Sequence, residues 1–138
     1  MGQKEQYRQY VEALAIENDT DRDQALAALL TPDFVAHDLK EVVPPGGVDS
    51  LKAFRRLVKC AFPDQVMVIE DLIEEGDRVV SRQTLTATHR GPYQGIPPTG
   101  ARVSLELMEI VRFRQGRIAE RWVTFDRGGL FTQLRRGE

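Results

Sequence analysis

Residues 102–125 read RVSLELMEIVRFRQGRIAERWVTF, two stretches of alternating apolar and polar residues joined by Gln115-Gly116. Alternation with a period of two is typical of β-strands, and a short connection containing glycine is typical of a tight hairpin turn. We therefore predict a β-hairpin whose strands cover residues 102–114 and 117–125.

The register of this hairpin determines which residues share a face. If Arg114 pairs with Arg117, Glu109 lies opposite Trp122, and the side chains divide into two sets. The first face is mainly apolar but also carries carboxylates: Val103, Leu105, Leu107, Glu109, Val111, Phe113, Ile118, Glu120, Trp122, Thr124 and Asp126. The opposite face suits solvent or a partner subunit and contains Ser104, Glu106, Met108, Ile110, Arg112, Arg121, Val123 and Phe125.

The carboxylates on the apolar face are the most informative feature of the hairpin. Burying an ionised carboxylate without a partner costs several kcal/mol, so its presence needs a reason. One reason is catalysis, because an apolar pocket raises the pKa of a carboxyl towards the working pH. We therefore single out Glu109 and Asp126 as candidate acid–base residues. Alternatively, each carboxylate could reach water or pair with an arginine, and Asp126 could cap a final helix near Gly128.

Upstream of the hairpin, the periodicity indicates helices first and strands afterwards. Two helices are expected in the first 30 residues, with capping oxygens at residues 18–21 between them. The other expected elements are a turn at 31–33, a brief strand at 34–39, a loop at 41–48, a helix capped by Asp49 or Ser50, strands at 66–73 and 78–89, and a short helix at 130–134. This order predicts a single α+β domain over residues 1–138, with a curved mixed or antiparallel sheet wrapped around the N-terminal helices. The interior of such a cone is a natural small-molecule pocket.

The composition excludes several classes of function. Of 138 residues, 41% are hydrophobic and 29% charged, and the formal net charge is −2. This balance argues against nucleic acid or an anionic membrane as the main partner. The single cysteine, Cys60, cannot form an intramolecular disulfide, and two histidines leave little material for a metal site. With no apolar signal core or membrane-length run, we expect a soluble, cytoplasmic protein.

Residues outside the hairpin are candidates for the same pocket. On the predicted strand at 78–89, Gln83 and His89 share a face, and His89 would lie near the mouth as an acid, a base or an oxyanion partner. The alternative is that His89 only anchors the backbone of the following loop. His37 and Asp38 are neighbours that point to opposite faces of a strand, and we expect His37 to enter the pocket. The other predicted substrate-binding residues are Trp122, Tyr93, Leu105 and Phe54.

Four stretches of the chain share a pattern with one protein family: FVAHD (34–38), AFPDQVMVIEDLIEEGDRVVSRQT (61–84), ATHRGPYQGIPPTGARV (87–103) and ELMEIVRFRQGRIAERWVTFDRGGLFTQL (106–134). Together they resemble the SnoaL-like polyketide cyclase family of the nuclear-transport-factor-2-like superfamily. The most specific pieces are THRGPYQGIPPTG and the string G-R-I-x-E-x-W-x-x-x-D that ends at Asp126.

The resemblance implies a cone-shaped α+β barrel, or cystatin-like roll, that forms a homodimer through its outer sheet face and uses no metal or organic cofactor. In such cyclases an aspartate near the end of the final strand deprotonates a polyketide carbon, and the enolate closes a ring by aldol addition. Asp126 matches that aspartate, Trp122 matches a pocket-wall tryptophan, and His89 matches a Thr-His pair. Glu109 stands where family members often carry histidine, so two carboxylates would share a proton or split their pKa values.

Three functions remain open on these observations. The first is a cofactor-free cyclase or isomerase for a polyketide-like small molecule, with Asp126 as base and Glu109 or His89 as proton donor. The second is an epoxide-opening hydrolase or cyclase, in which one carboxyl is the acid and the other activates the nucleophile. The third is a non-catalytic module of the same fold that binds apolar rings.

Overall fold

The computed structural model describes residues 2–137 and has four α-helices and five β-strands within that range. The helices are α1 (Gln3–Leu14), α2 (Asp19–Leu29), α3 (Val48–Ala61) and α4 (Arg127–Arg135), with a short 3-10 helix at His37–Leu39. The strands are β1 (Leu30–Ala36), β2 (Val66–Glu75), β3 (Arg78–Thr88), β4 (Arg102–Arg114) and β5 (Arg117–Phe125).

The five strands form one open mixed sheet in the order β1-β5-β4-β3-β2. Strands β2 to β5 make the predicted antiparallel meander, and β1 adds to the edge of the sheet parallel to β5. Helices precede the meander and pack against one face of the sheet, where Tyr7, Leu26 and Leu51 share a core with Val111 and Ile118. The predicted α+β class is confirmed.

The N-terminal helices form where the sequence predicts them. Asn18 caps α2 because its side-chain oxygen accepts a hydrogen bond from the Asp21 N–H at 2.9 Å, which satisfies a backbone donor that the first turn leaves free. On α1, Tyr7, Tyr10 and Leu14 are buried. The first helix therefore carries two phenol groups into the interior.

Three local predictions are wrong because tertiary contacts outweigh the local signal. The strand predicted at 34–39 ends at Ala36, and His37–Leu39 form a 3-10 helix. Residues 31–33 belong to β1 and do not form a turn; Pro32 has no N–H to donate, but an exposed position on an edge strand tolerates that loss. Helix α3 begins at Val48, earlier than either predicted cap. The Ser50 hydroxyl instead accepts the backbone N–H of Gly46 at 2.9 Å, which ties the preceding loop to the helix.

The pairing of β4 with β5 starts at the turn as predicted and then shifts by one residue. Beyond Ala119, which pairs with no residue of β4, Glu109 lies opposite Val123 and not opposite Trp122. Ile118 and Ala119 are both buried, as expected for a β-bulge that inserts one extra residue into a strand. Every later side chain of β5 therefore points to the face opposite the predicted one.

A second cluster of buried hydrophobic residues forms the core at the other end of the fold. Leu130 and Leu134 of α4 pack there against Val58 of α3 and Val103 of β4. The site described below lies between this cluster and the N-terminal one. None of the helices within residues 2–137 has the length and apolar character needed to cross a membrane.

Candidate active site

A cavity of about 180 Å³ lies between the inner face of the sheet and helices α3 and α4. Most of its walls are apolar, including Phe54, Val58, Leu85, Leu105, Leu107 and Leu130. Four buried or nearly buried charged side chains also line it: Asp38, Arg55, Glu109 and Arg121. A mainly apolar cavity with a few convergent polar groups is the usual form of a small-molecule site.

Glu109 of β4 is the buried carboxyl of this cavity, with 3% of its surface exposed. Its Oε1 accepts a hydrogen bond from the Tyr7 hydroxyl at 2.5 Å, and its Oε2 accepts one from the Tyr10 hydroxyl at 3.1 Å. Burial raises the pKa of Glu109, and the nearby Arg121 guanidinium and the two hydroxyl donors offset this rise only in part. Glu109 therefore holds a proton to a higher pH than an exposed glutamate, as acid–base catalysis near neutral pH requires.

The two tyrosines are hydrogen-bond donors that orient this carboxyl. Burial raises the pKa of both Tyr7 and Tyr10, so both remain neutral phenols. Around the Tyr7 oxygen, the Ser81 hydroxyl and the Gln83 amide nitrogen each lie 2.6 Å away. The result is a connected polar network on the inner face of the sheet, surrounded by apolar side chains.

Arg121 of β5 joins a second carboxylate to the network. Its Nε and Nη2 donate to the two oxygens of Asp38 at 3.1 and 2.7 Å, and its Nη1 donates to the Tyr10 hydroxyl at 3.0 Å. The same Nη1 lies 3.8 Å from Glu109 Oε2. Burial alone would lower the pKa of Arg121, but Tyr10, Asp38 and Glu109 outweigh that effect, so the pKa is raised and the guanidinium stays charged.

Arg55 of α3 is a further buried guanidinium, 7% exposed. Its Nη2 donates to the Leu14 carbonyl and to Gln65 Oε1, both at 3.1 Å. Burial, followed by the charge of Arg121, lowers the pKa of Arg55 to about 10, so it remains positive at neutral pH.

Five of the residues predicted for the site line the cavity together. Glu109, Gln83 and Leu105 come from the sheet, Phe54 from α3, and Tyr93 from the loop between β3 and β4. Across residues 2–137, no three histidine, cysteine or acidic side chains are grouped in a way that could hold a metal ion.

Asp126 and His89 do not line the cavity. Asp126 is exposed at the N-cap of α4, where its Oδ1 accepts the Gly129 N–H at 2.9 Å. His89 is fully buried, and its Nδ1 lies 3.0 Å from the Thr99 hydroxyl across the loop between β3 and β4. These contacts match the alternative roles that the sequence allows: Asp126 caps a helix, and His89 anchors a loop.

Trp122 and His37 meet on the outer side of β5, away from the cavity. The two rings stack with their centroids 4.7 Å apart and their planes within 3°. His37 Nε2 also lies 3.1 Å from Glu120 Oε1. The bulge at Ala119 turns Trp122 and Glu120 outward, so the predicted face is wrong for both. Asp38, and not His37, faces the cavity.

Five residues of the site were not identified as such from the sequence: Tyr7, Tyr10, Asp38, Arg55 and Arg121. Arg55 carries a detectable signal, because it shares the apolar stripe of its helix with Leu51 and Val58 at helical spacing. Arg121 carries no such signal in the sequence, because in a regular ladder without the bulge its side chain would point away from the cavity.

The comparison with protein families agrees with this fold. The family model described as SnoaL-like polyketide cyclase matches residues 4–134. The match covers nearly the whole chain, and the chain belongs to the SnoaL-like polyketide cyclase family. No curated protein matches the sequence.

Solved structures with similar folds span almost the full length of both chains. TsrD from Streptomyces laurentii is 27% identical with a TM-score of 0.81, and the match covers 97% of this chain and 98% of that one. IdmH from Streptomyces antibioticus, proposed as a polyketide cyclase, is 26% identical with a TM-score of 0.79 and coverage of 97% and 99%. AclR from Streptomyces galilaeus, proposed as a hydroxylase, is 30% identical with a TM-score of 0.76 and coverage of 98% of each chain.

Proposed function

We propose that this protein is a cofactor-independent cyclase or isomerase that closes a ring in a polyketide-like small molecule by acid–base chemistry of the aldol type. The observation that carries this proposal is Glu109, a carboxyl with a raised pKa in an otherwise mainly apolar cavity. Membership of the polyketide cyclase family supports the reaction class. A neighbouring structure proposed as a polyketide cyclase supports it further.

The proposed reaction needs one group that accepts and returns a proton. Glu109 removes a proton from a carbon next to a carbonyl, and the resulting enolate carbon attacks a second carbonyl of the same molecule. A carbon–carbon bond forms, the attacked oxygen becomes an alkoxide, and Glu109 returns the proton to it. The tyrosine hydroxyls that bond to Glu109 stabilise its ionised form during this cycle.

Asp126 is the alternative base that the family resemblance suggests, and His89 is the alternative proton donor. The geometry favours Glu109, because Glu109 lines the cavity while Asp126 is exposed at a helix cap. Asp126 follows Phe125 and precedes Arg127, which both line the cavity, so a role at its mouth stays a prediction.

Turnover of an open-chain poly-β-ketone by three variants tests the assignment. We expect Glu109→Gln to lower kcat by about 10²- to 10⁴-fold, the usual contribution of a positioned acid–base group. Glu106→Gln removes an exposed carboxylate from the same strand and is the matched control. Asp126→Asn keeps a side chain able to cap α4. An active Glu109→Gln enzyme beside an inactive Asp126→Asn enzyme would transfer the role to Asp126.

Epoxide opening is the second candidate, and the contacts of Arg121 favour it. Arg121 lies between two carboxyl groups that line one cavity, 2.7 Å from Asp38 and 3.8 Å from Glu109. Glu109 would protonate the epoxide oxygen while Asp38 accepts a proton from the attacking water. Incorporation of one labelled solvent oxygen per product molecule would identify this reaction, whereas aldol closure incorporates none.

A non-catalytic binding module is the third candidate. It predicts that apolar rings bind equally well to the native protein and to Glu109→Gln, and that no substrate of either class is turned over. Calorimetric titration with naphthalene derivatives alongside the turnover assay separates this case from the two enzymes.

A further inference from the structure

Arg55 differs from the other buried arginines in its lack of an acidic partner. Arg121 forms a two-point ion pair with Asp38, and Arg22 pairs with Asp19. For Arg55 the described part of the chain supplies only the Leu14 carbonyl and Gln65 Oε1. A buried positive charge is costly unless an anion or several hydrogen bonds compensate it. Arg55 therefore lies in the cavity wall as an under-compensated cation.

Three residues that line the cavity carry unpaired polar atoms. Within residues 2–137, Arg55 Nε, Gln65 Nε2 and Gln83 Oε1 are buried and have no hydrogen-bond partner. All three residues line the cavity. Buried polar atoms normally have partners, so two donors and one acceptor left free around one cavity indicate groups that a ligand supplies.

The charge balance of the cavity favours a negative ligand. Arg55 and Arg121 contribute two positive charges, and Asp38 opposes only Arg121. The Glu109 carboxyl bonds to Tyr7 and Tyr10 and lies near Arg121, so it forms no pair with Arg55. Arg127 also lines the cavity, but it is exposed at the N-terminus of α4 and water can screen its charge.

We propose that Arg55 binds an oxyanion of the substrate, either a carboxylate or an ionised enol, and that Gln65 donates to an adjacent oxygen while Gln83 accepts from a substrate hydroxyl. The proposal rests on the proposed function only in placing the substrate in this cavity. It adds a substrate class: an apolar ring or chain that carries one negative oxygen and a nearby hydroxyl group.

The test compares charged and neutral probes of similar shape by calorimetric titration of the full chain. The charged probes are 2-naphthoate and 2-hydroxy-1,4-naphthoquinone, and the neutral probes are methyl 2-naphthoate and 2-methyl-1,4-naphthoquinone. We expect the native protein to bind at least one anion about tenfold or more tightly than its neutral counterpart, as a charge-assisted hydrogen bond allows. The probe pair with the larger ratio of affinities, anion over neutral counterpart, shows whether the oxyanion is a carboxylate or an enolate.

Gln65→Glu is the decisive variant because it supplies the missing anion from within the protein. The new carboxylate would occupy the position of Gln65 Oε1, 3.1 Å from Arg55 Nη2, and compete with the ligand. We expect the preference for the anion to disappear in Gln65→Glu and in Arg55→Gln. Arg56→Gln removes a neighbouring exposed charge that pairs with Asp23, and it should keep the preference. If Arg55→Gln fails to fold, the titration of Gln65→Glu with the same probes still tests the proposal.

Four results would overturn the proposal: equal binding of charged and neutral probes, binding of neither anion, a preference that survives Gln65→Glu, or a preference abolished only by Arg127→Gln. The last two would assign the anion to Arg121 or to the cavity mouth. Because the titration needs no turnover, loss of the proposed cyclase activity leaves this result intact, and the two failures are distinguishable.

Discussion

Glu109 owes its chemistry to its neighbours. An exposed glutamate ionises below neutral pH, whereas this one lies among apolar side chains, with two phenols as hydrogen-bond donors and a guanidinium 3.8 Å away. Burial opposes ionisation, and the donors and the guanidinium favour it. The net effect is a raised pKa, which makes the residue useful for proton transfer and costly for stability at high pH.

The first prediction concerns the pH dependence of stability. Between the ordinary value of 4.5 and the raised pKa, folded Glu109 keeps a proton that the unfolded chain has released. The stabilisation is therefore complete below about pH 4.5 and is lost as pH rises through the raised pKa, by at most about 1.4 kcal/mol per pH unit. Urea unfolding across this range should show that Glu109→Gln lacks this slope.

The control for that prediction is Glu106→Gln, which changes an exposed carboxyl on the same strand and should keep the slope. Carboxyl NMR of the native protein gives the titration of Glu109 directly. An ordinary pKa for this carboxyl would contradict the acid–base role assigned to it.

The second prediction concerns the buried ion pair of Arg121 and Asp38. Their side chains are only 6% and 11% exposed, so removing one leaves the other charge buried without its partner. We expect Arg121→Met to lower the free energy of unfolding by about 3–5 kcal/mol. Arg114→Met breaks the exposed ion pair with Asp33 and should lower the free energy of unfolding far less. Equal losses in the two variants, measured by urea unfolding, would show that the buried pair adds no special stability.

Among the secondary-structure elements, strand β5 controls the site. Its bulge at Ala119 shifts the register against β4, and the pairing with β1 is irregular between Leu30 and Val35 of β1. One extra residue is enough to turn Arg121, Val123 and Phe125 into the cavity.

The third prediction tests the bulge. Deleting Ala119 removes the unpaired residue and leaves Arg121 opposite Val111, on the inner face and beside Asp38. We therefore expect the ion pair to survive, and the free energy of unfolding to fall by less than the roughly 3–5 kcal/mol expected for Arg121→Met. Ala119→Gly keeps the extra residue and should cost only about 1 kcal/mol. NMR contacts between Glu109 and Val123 should persist in the deletion variant, and their loss would show that the register of β5 needs the extra residue.

At the scale of the whole molecule, the outer face of the sheet is less apolar than the regular ladder predicted. Val123 and Phe125 line the cavity and are absent from that face. The exposed apolar side chains that remain on the sheet are Val66, Val68, Ile73 and Met108. We propose that this smaller patch is the contact surface of a homodimer, since exposed apolar patches commonly mark interfaces.

The fourth prediction tests that dimer by sedimentation equilibrium. Met108→Glu places a charge in the patch and should shift the protein towards monomer, with at least a tenfold weaker association. Leu57→Glu changes a more exposed apolar residue on α3 and should leave the association unchanged. A native protein that is monomeric at high concentration would refute the proposed interface.

The amino-acid sequence by itself determined the order of the main elements, the capping oxygens between α1 and α2, the hairpin turn at Gln115-Gly116 and the shared face of Gln83 and His89. These features depend on periodicity and on contacts a few residues apart, which are visible in a linear chain. Glu109 was found in the same way, because a carboxylate among apolar strand residues is conspicuous.

Only the tertiary structure decided which groups meet Glu109. Ala119 is left unpaired by the fit of β5 against β4, and local periodicity carries no signal of it, yet the bulge brings Arg121 into the cavity and turns Trp122 out of it. Likewise, the choice of Asp38 over His37 depends on a buried guanidinium that needs an anion. Burial and charge pairing act between residues far apart in the chain, and local patterns do not contain that information.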